Sequence, residues 1–371
     1  MKKKNIVIFT AARSDFGIMK KTIIKLNQDK KFNFYLLIGS AHYSKFFGST
    51  IKEINKIKIK NKSKLNFEYS SKSNIKDILK NFTKTMINAQ SFFDKNKIDC
   101  AIIMGDRYEM MAIAIVCLNN NIAIAHVCGG SETFGSIDNE YRNSISQMSK
   151  FHFVETIFHK KRLNKMGIDK DIYIVGAPAL ENYEKKLKNF TLIKKKFFPK
   201  IDHKKKIVIS CFHPETTENL NSNLYNLKIL ISFLNNLNEH NVIFTYPNAD
   251  TGYEKFIKNL KEKLNKNIFL VSNLGIDNYY TVLKNSDLLI GNSSSGIIES
   301  ASFNLPTINL GNRQKNRYAP KNVYHCPFNL NEIKKLFNGL LSQKKKTKLK
   351  NPYYKINTSS NIIQKLKGLL K

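Results

Sequence analysis

What these 371 residues lack narrows the reading first. No apolar run approaches the roughly 20 residues that a membrane-crossing helix needs, so a membrane partner or span is not expected. The opening stretch "MKKKNIVIFTAARSD" holds only about seven apolar-rich residues before Arg13 and Asp15 intervene, too few for a secretory core, and reads as a first β-strand. Five cysteines (Cys100, Cys117, Cys128, Cys211, Cys326) form no CxxC pair, so reduced thiols and a cytoplasmic location are expected. Acidic residues are scarce: 28 Asp and Glu face 62 Lys and Arg, a formal net charge of +34. That excess makes nucleic acid or an anionic membrane the first partners to consider. Yet the lysines are scattered through every segment, and a binding stripe would be clustered. Only "IKKKFFPKIDHKKK" (193–206) and "SQKKKTKLKN" (342–351) are runs, and both lie between patterned segments, as solvated linker faces do. No specific nucleic-acid partner is therefore expected. Short-period repeats and low-complexity tails are missing too.

What is present is an alternation of short apolar runs with amphipathic stretches, which implies βαβ units and parallel sheets. Strand candidates of a first half are "NIVIFTA", "FNFYLLIGS", "DCAIIMGD", "IAIAHVCGG", "FHFVE" and "DIYIVGAP". Those of a second half are "KKIVISCFHP", "NVIFTYPN", "NIFLVSN", "SDLLIGNSS" and "PTINLGN". With 42% hydrophobic residues the chain can bury two cores. The expected division is an N-terminal doubly wound domain over 1–182, a Lys-rich linker over 183–203, a C-terminal doubly wound domain over 204–352 and a final helix over 353–371. Ligands of such domains bind beyond the carboxyl ends of the strands.

Polar and ionisable residues repeatedly occupy the positions just past a strand. They are Arg13 and Asp15; His42; Asp106 and Arg107; Gly129, Gly130 and Glu132; His213; Asn248 and Asp250; and "GNSSSG" at 291–296. In "DLLIGNSSSGIIES" a buried strand enters Gly291, then Ser293, Ser294 and Ser295, then Gly296 and a helix. Backbone N–H groups and hydroxyls converging there suit a phosphate. The loop lacks a GK[ST] ending and is not a GxGxxG fingerprint. A simple serine cap is the bland rival, but one cap needs one serine, not three. Glu299, in the first turn beyond, would be repelled by a diphosphate and better accepts hydrogen bonds from ribose hydroxyls. His213, followed by proline, is a candidate phosphate-side donor or acid. Asp106 alone would read as a helix cap. Asp138, at another strand mouth with Arg142 at i+4, supplies a second acid, and removing a proton while delivering another requires one base and one acid.

These residues, with "TAARSDFG", "GSAHYSKFFGST", "MGDRYE", "GGSETFGSIDNEYRNSISQMSKFHF", "VGAP", "FHPET", "YPNAD", "NLGIDNYY" and "GNRQKNR" in order, resemble the hydrolysing UDP-N-acetylglucosamine 2-epimerases, first-step enzymes of sialic acid and related nonulosonate synthesis. The resemblance implies a glycosyltransferase B (GT-B) type fold of two Rossmann-like doubly wound domains, UDP in the cleft between them, a C-terminal helix returning to the first domain, and a homodimer or homotetramer. It implies a nucleotide-sugar substrate and no cofactor, neither metal nor nicotinamide. The family abstracts the C2 proton, eliminates UDP and adds water with inversion at C2. By position, Arg13 matches a phosphate-side arginine, Asp106 the essential aspartate of GDR, and Asp138 and Arg142 the acid and arginine of the following segment. His213 matches the histidine of HP, and Ser294, Ser295 and Glu299 match nucleotide-holding positions.

Two departures stand out. Where the family reads HGGE, this chain has Cys128, Gly129, Gly130 and Ser131, with a glutamate displaced to Glu132; where it reads RH, Arg142 precedes Asn143. Either Glu132 replaces the absent carboxylate, or a hydroxyl at Ser131 serves a different sugar. UDP-N-acetylglucosamine is the first substrate expected, and a UDP-2,4-diacetamido-2,4,6-trideoxy sugar, precursor of legionaminic acid, the alternative. A glycosyltransferase of the same fold would leave Asp106 and Asp138 without a shared purpose, and a basic nucleic-acid-binding protein would need clustered lysines.

Overall fold

The computed structural model describes residues 3–44, 50–65, 75–183, 187–247, 253–342 and 349–370. Two compact units emerge, the first of Met1–Ser131, Asp138–Asn182 and Tyr353–Lys371, the second of Glu132–Ile137 and Tyr183–Pro352.

In the first unit the strands are β1 (Lys4–Thr10), β2 (Phe32–Ile38), β3 (Asn61–Lys64), β4 (Cys100–Met104), β5 (Ala123–Val127), β6 (Phe151–Val154) and β7 (Ile172–Ile174). They pair in parallel in the order β3-β2-β1-β4-β5-β6-β7. The apolar runs are continuous because both faces are covered, as parallel sheets require. Along β1, Ile6 and Ile8 enter one core with Phe16, Met19 and Ile23 of helix Arg13–Gln28. Val7 and Phe9 enter the opposite core with Ala89 and Phe93 of helix Ile75–Lys95 and Met110 and Ile113 of helix Tyr108–Asn119. Each of these buried side chains larger than Ala89 contributes about 1.5–3 kcal/mol; a charge at Ile8 would forfeit that and leave an unpaired ion inside. Helix Thr358–Leu369 completes the first core with Ile362, Ile363 and Leu366. It is also tied by polar bonds: Glu181 accepts from the backbone N–H of Ser359 at 2.9 Å, from the Ser359 hydroxyl, and from Lys25 at 3.1 Å.

In the second unit β8 (Lys206–Cys211), β9 (His240–Thr245), β10 (Phe269–Val271), β11 (Leu288–Gly291), β12 (Thr307–Leu310) and β13 (Val323–Cys326) pair in parallel in the order β10-β9-β8-β11-β12-β13. Val208, Ile290 and Ile308 face helices Leu220–Asn235 and Leu330–Leu341, while Ile207, Ile209 and Leu289 face helix Ile276–Asn285. The Lys-rich stretch at 183–203 contains a helix, Phe190–Phe197, whose Ile193 is buried in this second core.

Every strand candidate read from the sequence forms a strand. Two strands escaped that reading, β3 and β13, both sheet edges. β3 is "NKSK", and edge strands are commonly short and charged, so they carry no apolar signature.

Candidate active site

The strand order of each unit reverses at one point, where successive crossovers diverge and leave a crevice beyond the strand ends. In the first unit that point lies between β1 and β4, neighbours in the sheet. Past β1 come Ala11, Ala12 and Arg13; past β4 come Gly105, Asp106 and Arg107. Arg13 opens its helix and is half-buried. Asp15, two residues on, accepts from the backbone N–H groups of Ala11 at 3.1 Å and Ala12 at 2.8 Å, holding the loop that presents Arg13. Burial pushes the Asp15 carboxyl above its ordinary range, against the opposing pull of the Arg107 cation. Arg107 is itself clamped by Glu109 through two bonds, Nε to Oε2 at 3.1 Å and Nη2 to Oε1 at 2.9 Å.

Asp106 forms an ion pair with Arg142, whose guanidinium is only 2% exposed while the aspartate is 26% exposed. A buried fixed cation beside a partly exposed carboxylate favours its ionised form. Arg142 also donates from Nη1 to the Ser131 carbonyl at 3.0 Å, and Arg162, on helix Ile157–Lys165, reaches the same oxygen at 3.4 Å. Asp138 begins helix Asp138–Met148, on which Arg142 lies one turn further. Tyr141, between them in sequence, has its phenol pushed up by burial and by the Asp138 and Glu109 carboxylates. Asp106, Arg142 and Ser131 thus come together past the ends of β4 and β5, with Asp138 one turn before Arg142 on the same helix. Cys128, at the end of β5, holds φ +65°, a left-handed geometry uncommon for a non-glycine residue and frequent at working sites.

Glu132–Ile137 behaves differently: it belongs with the second unit. Thr216 donates its N–H to Gly135 at 3.0 Å, and Ile137 donates to the Thr216 hydroxyl at 3.1 Å. A Cβ on Gly135 would meet the Arg313 Cα at 2.7 Å, so backbone runs against backbone there. The displaced Glu132 is therefore half-buried on a strap seated against the "HPET" and "GNRQ" loops. Asn143, the other departure, accepts from Arg162 Nη1 at 2.9 Å, so its amide oxygen fixes that second arginine.

In the second unit the order reverses between β8 and β11, which pair with Gly291 opposite Cys211. Gly291 sits at φ +144°, and a Cβ there would lie 2.0 Å from the Cys211 carbonyl oxygen, so only glycine fits. Asn292 then locks the His213 backbone from both sides: its Oδ1 accepts from the His213 N–H at 2.7 Å and its Nδ2 donates to the His213 carbonyl at 2.7 Å. The Asn292 carbonyl accepts from Gln314 Nε2 at 3.1 Å and Arg313 Nη1 at 3.3 Å. His213 is buried, and burial together with the nearby Arg313 holds its imidazole well below the usual range, hence neutral. The Ser293 hydroxyl accepts from the Ser295 N–H at 3.3 Å, and the Ser295 hydroxyl accepts from Tyr279 at 2.7 Å. The helix after the loop is four residues, Ser295–Ile298, too short for its dipole to dominate; hydroxyls and backbone N–H groups carry the loop's polarity. Gly296 lies buried within it, and Glu299 lies at its end, near the Tyr279 and Tyr280 rings. Glu215 accepts from the backbone N–H groups of Asn312 at 3.0 Å and Arg313 at 3.1 Å, so "HPET" and "GNRQ" support each other. Burial raises the Glu215 carboxyl against those two bonds.

Asn248 and Asp250 lie outside the described residues. The sequence reading passed over Glu109, Arg162, Glu215, Tyr279, Asn292, Arg313 and Gln314 as site residues. Asn292, Arg313 and Gln314 stood in plain view inside "GNSSSG" and "GNRQ", while Glu109 and Arg162 show their part only through their partners in space. Among the described residues no cluster of His, Cys, Asp and Glu suited to a metal occurs, and no helix is long and apolar enough to cross a membrane.

Against this geometry, the UDP-N-acetylglucosamine 2-epimerase family model matches residues 24–367. A GDP/UDP-N,N'-diacetylbacillosamine 2-epimerase (hydrolyzing) of Campylobacter jejuni is 33% identical over 92% of this chain and 89% of its own length. The polysialic acid biosynthesis protein P7 of Escherichia coli is 31% identical over 99% of this chain and 95% of its own. Among solved structures, the UDP-GlcNAc 2-epimerase of Neisseria meningitidis bound to UDP-GlcNAc superposes with a TM-score of 0.80 at 17% identity, covering 98% of this chain and all of that one. That likeness is one of fold, the two Rossmann-like units of the GT-B type.

Proposed function

We propose, from the premise that this chain belongs to the UDP-N-acetylglucosamine 2-epimerase family, that it is a hydrolysing epimerase releasing a free manno-configured 2-acetamido sugar and UDP from UDP-N-acetylglucosamine. The reaction balances simply. A base takes the C2 proton, the C1–O bond to UDP breaks with its electron pair leaving on the diphosphate, and C1 and C2 become doubly bonded. Water then supplies hydroxyl to C1 and a proton to the opposite face of C2. The observation that carries this reading is the Asp106–Arg142 pair, with Asp138 one turn before Arg142 on the same helix: two carboxylates in unlike surroundings can divide base and acid work. Ser131, Glu132 and Arg142 complete the sugar-side set. Ser293, Ser294, Ser295, Gly291, Gly296, Arg13 and His213 hold the diphosphate, and Glu299 the ribose; Asn248 and Asp250 belong to the same nucleotide-holding role. No metal or nicotinamide enters the chemistry.

A second substrate has specific support. The relative at 33% identity is named for a diacetylbacillosamine substrate, and Ser131 replaces a carboxylate with a short hydroxyl at the sugar-side edge. The enzyme then acts on the UDP-2,4-diacetamido-2,4,6-trideoxy sugar and feeds legionaminic rather than sialic acid synthesis. Incubation with each sugar nucleotide, followed by chromatography for UDP and the free sugar, decides between them; release of UDP with the original C2 configuration from both would end the epimerase reading.

The enzyme works in the cytoplasm as a homo-oligomer. Exposed Ile75, Leu79 and Ile87 on helix Ile75–Lys95, at 77%, 61% and 61%, and Leu118 at 52% on the helix packed beside it, support a self-association face. A monomeric mass by light scattering at micromolar concentration would refute it.

A further inference from the structure

The fully buried imidazole of His126 lies behind the loop that carries Asp106, and the proposed reaction gives it no part. His126 is on β5, opposite Ile103 of β4. Its Nε2 lies 2.9 Å from the carbonyl oxygen of Gly105, and its Nδ1 lies 3.0 Å from the hydroxyl of Ser146. A carbonyl oxygen can only accept, so Nε2 must carry the proton. On a neutral ring Nδ1 is then an acceptor, and Ser146 must donate. The Gly105 N–H is also taken, donating to the Val127 carbonyl at 3.0 Å. Both backbone groups of the residue immediately before Asp106 are thus fixed by β5.

Ser146 lies one turn after Arg142 on helix Asp138–Met148. The imidazole therefore bridges the Asp106 loop to the helix that brings the arginine. Space for this bridge is reserved by Gly129: a Cβ there would sit 2.8 Å from His126 Nδ1 and 2.9 Å from the Ser146 hydroxyl. That explains the first glycine of "CGG" without invoking a ligand, since any side chain at 129 would displace the ring. His152, opposite His126 on β6, faces it as another buried neutral imidazole and raises its cost of charging. Protonation of His126 is thus confined to acid well outside the working range; burial holds its pKa at about 4.

We infer that His126 is a positioning residue: its imidazole, with the proton on Nε2, fixes the Gly105 carbonyl and so the angle at which Asp106 meets Arg142. The inference rests on the proposed epimerase chemistry for its kinetic consequences and on geometry alone for the tautomer. Loss of both ring contacts in His126→Phe lets the Asp106 loop shift relative to Arg142, and a displacement of about 1 Å at a reacting group costs on the order of 100-fold in rate. His126→Gln places an amide N–H where Nε2 was and should recover most of that loss. Ser146→Ala, which removes only the outer contact, should cost roughly threefold to tenfold.

The test is steady-state kinetics of the full-length variants from pH 5 to 9, together with NMR of the imidazole nitrogens in the wild-type protein. Expected are a fall in kcat for His126→Phe with KM nearly unchanged, an acid limb of kcat moved to higher pH because Asp106 has lost its cation, and return of both toward wild type in His126→Gln. A purely structural histidine would lower the melting temperature without moving the pH limb. Wild-type kcat and an unmoved limb in a folded His126→Phe would overturn the inference. If that variant does not fold, Ser146→Ala decides in its place, a wild-type kcat there overturning the inference, and a proton found on Nδ1 rather than Nε2 overturns it without reference to activity. A wild-type protein that turns over no sugar nucleotide would instead contradict the proposed function and leave the tautomer to be judged by NMR.

Discussion

The two units build the same kind of strand-end edge and furnish it in opposite ways. At the β1/β4 edge charges face charges: Asp15 with Arg107, Arg107 with Glu109, Asp106 with Arg142. At the β8/β11 edge the side chains nearest the loop are mostly amides, hydroxyls and a neutral histidine, Asn292, Ser293, Ser295, Gln314 and His213, with Arg313 the one named cation that reaches it. Ionised pairs of fixed geometry can move protons, whereas neutral donors converging on one loop bind an anion without titrating. On the proposed reading, one architecture serves chemistry in the first unit and grip in the second. The chain between Ser131 and Asp138 follows the same division: Glu132–Ile137 packs with the second unit, against Thr216 and Arg313, while Ser131 and Asp138 belong to the first.

Substitutions can separate the two roles. Asp106→Asn should lower kcat by on the order of 10²–10⁴-fold while UDP affinity, by calorimetry, changes less than about threefold; a parallel loss of UDP binding would erase the proposed division. Gly291→Ala forces a Cβ into the Cys211 carbonyl and should destabilise the second unit by about 3 kcal/mol and abolish UDP binding, read by denaturant unfolding and calorimetry. Ser295→Ala removes a hydroxyl held by Tyr279 and should raise KM roughly 5–30-fold, the equivalent of about 1–2 kcal/mol, with kcat nearly constant. A kcat effect larger than the KM effect would move Ser295 to the chemical side.

Acid should also weaken the first unit. His42, His126 and His152 are buried there, and desolvation lowers each from the ordinary 6.5 to about 4. The unfolded chain therefore binds protons that the folded state refuses. Their contribution is fully retained above pH 6.5, is lost progressively as pH falls toward 4, and changes little further below that. Urea midpoints measured across this window, with His152→Gln flattening part of the slope, check the sign. His42 adds a specific reason: its Nε2 meets the Thr10 hydroxyl at 3.0 Å, so its ring is locked within the strand-end layer.

The sheets were legible because parallel strands buried on both faces are continuous apolar runs, and the loops were legible because polar residues repeatedly follow them. Asp106, Asp138, Arg142, His213 and the serine loop could be singled out as candidates from residue type and position. Their partners could not, since Arg162 to Asn143, Glu109 to Arg107, and Tyr279 to Ser295 depend on which faces two helices or a helix and a loop present to each other. β3 and β13 were missed for the related reason that edge strands need no apolar pattern. The helix inside 183–203 was hidden by its lysines, although Ile193 packs into a core. Why Glu132–Ile137 should leave the unit of its neighbours was likewise invisible: the strap's glycine and hydroxyls gain meaning only against Thr216 and Arg313.

The most direct test is NMR of the reaction run in D2O with UDP-N-acetylglucosamine and with the UDP-2,4-diacetamido sugar. The account predicts UDP and a free manno-configured sugar carrying one deuterium at C2, with neither product formed by Asp106→Asn. A released sugar that retains its original C2 hydrogen, or UDP freed without inversion at C2, would contradict it.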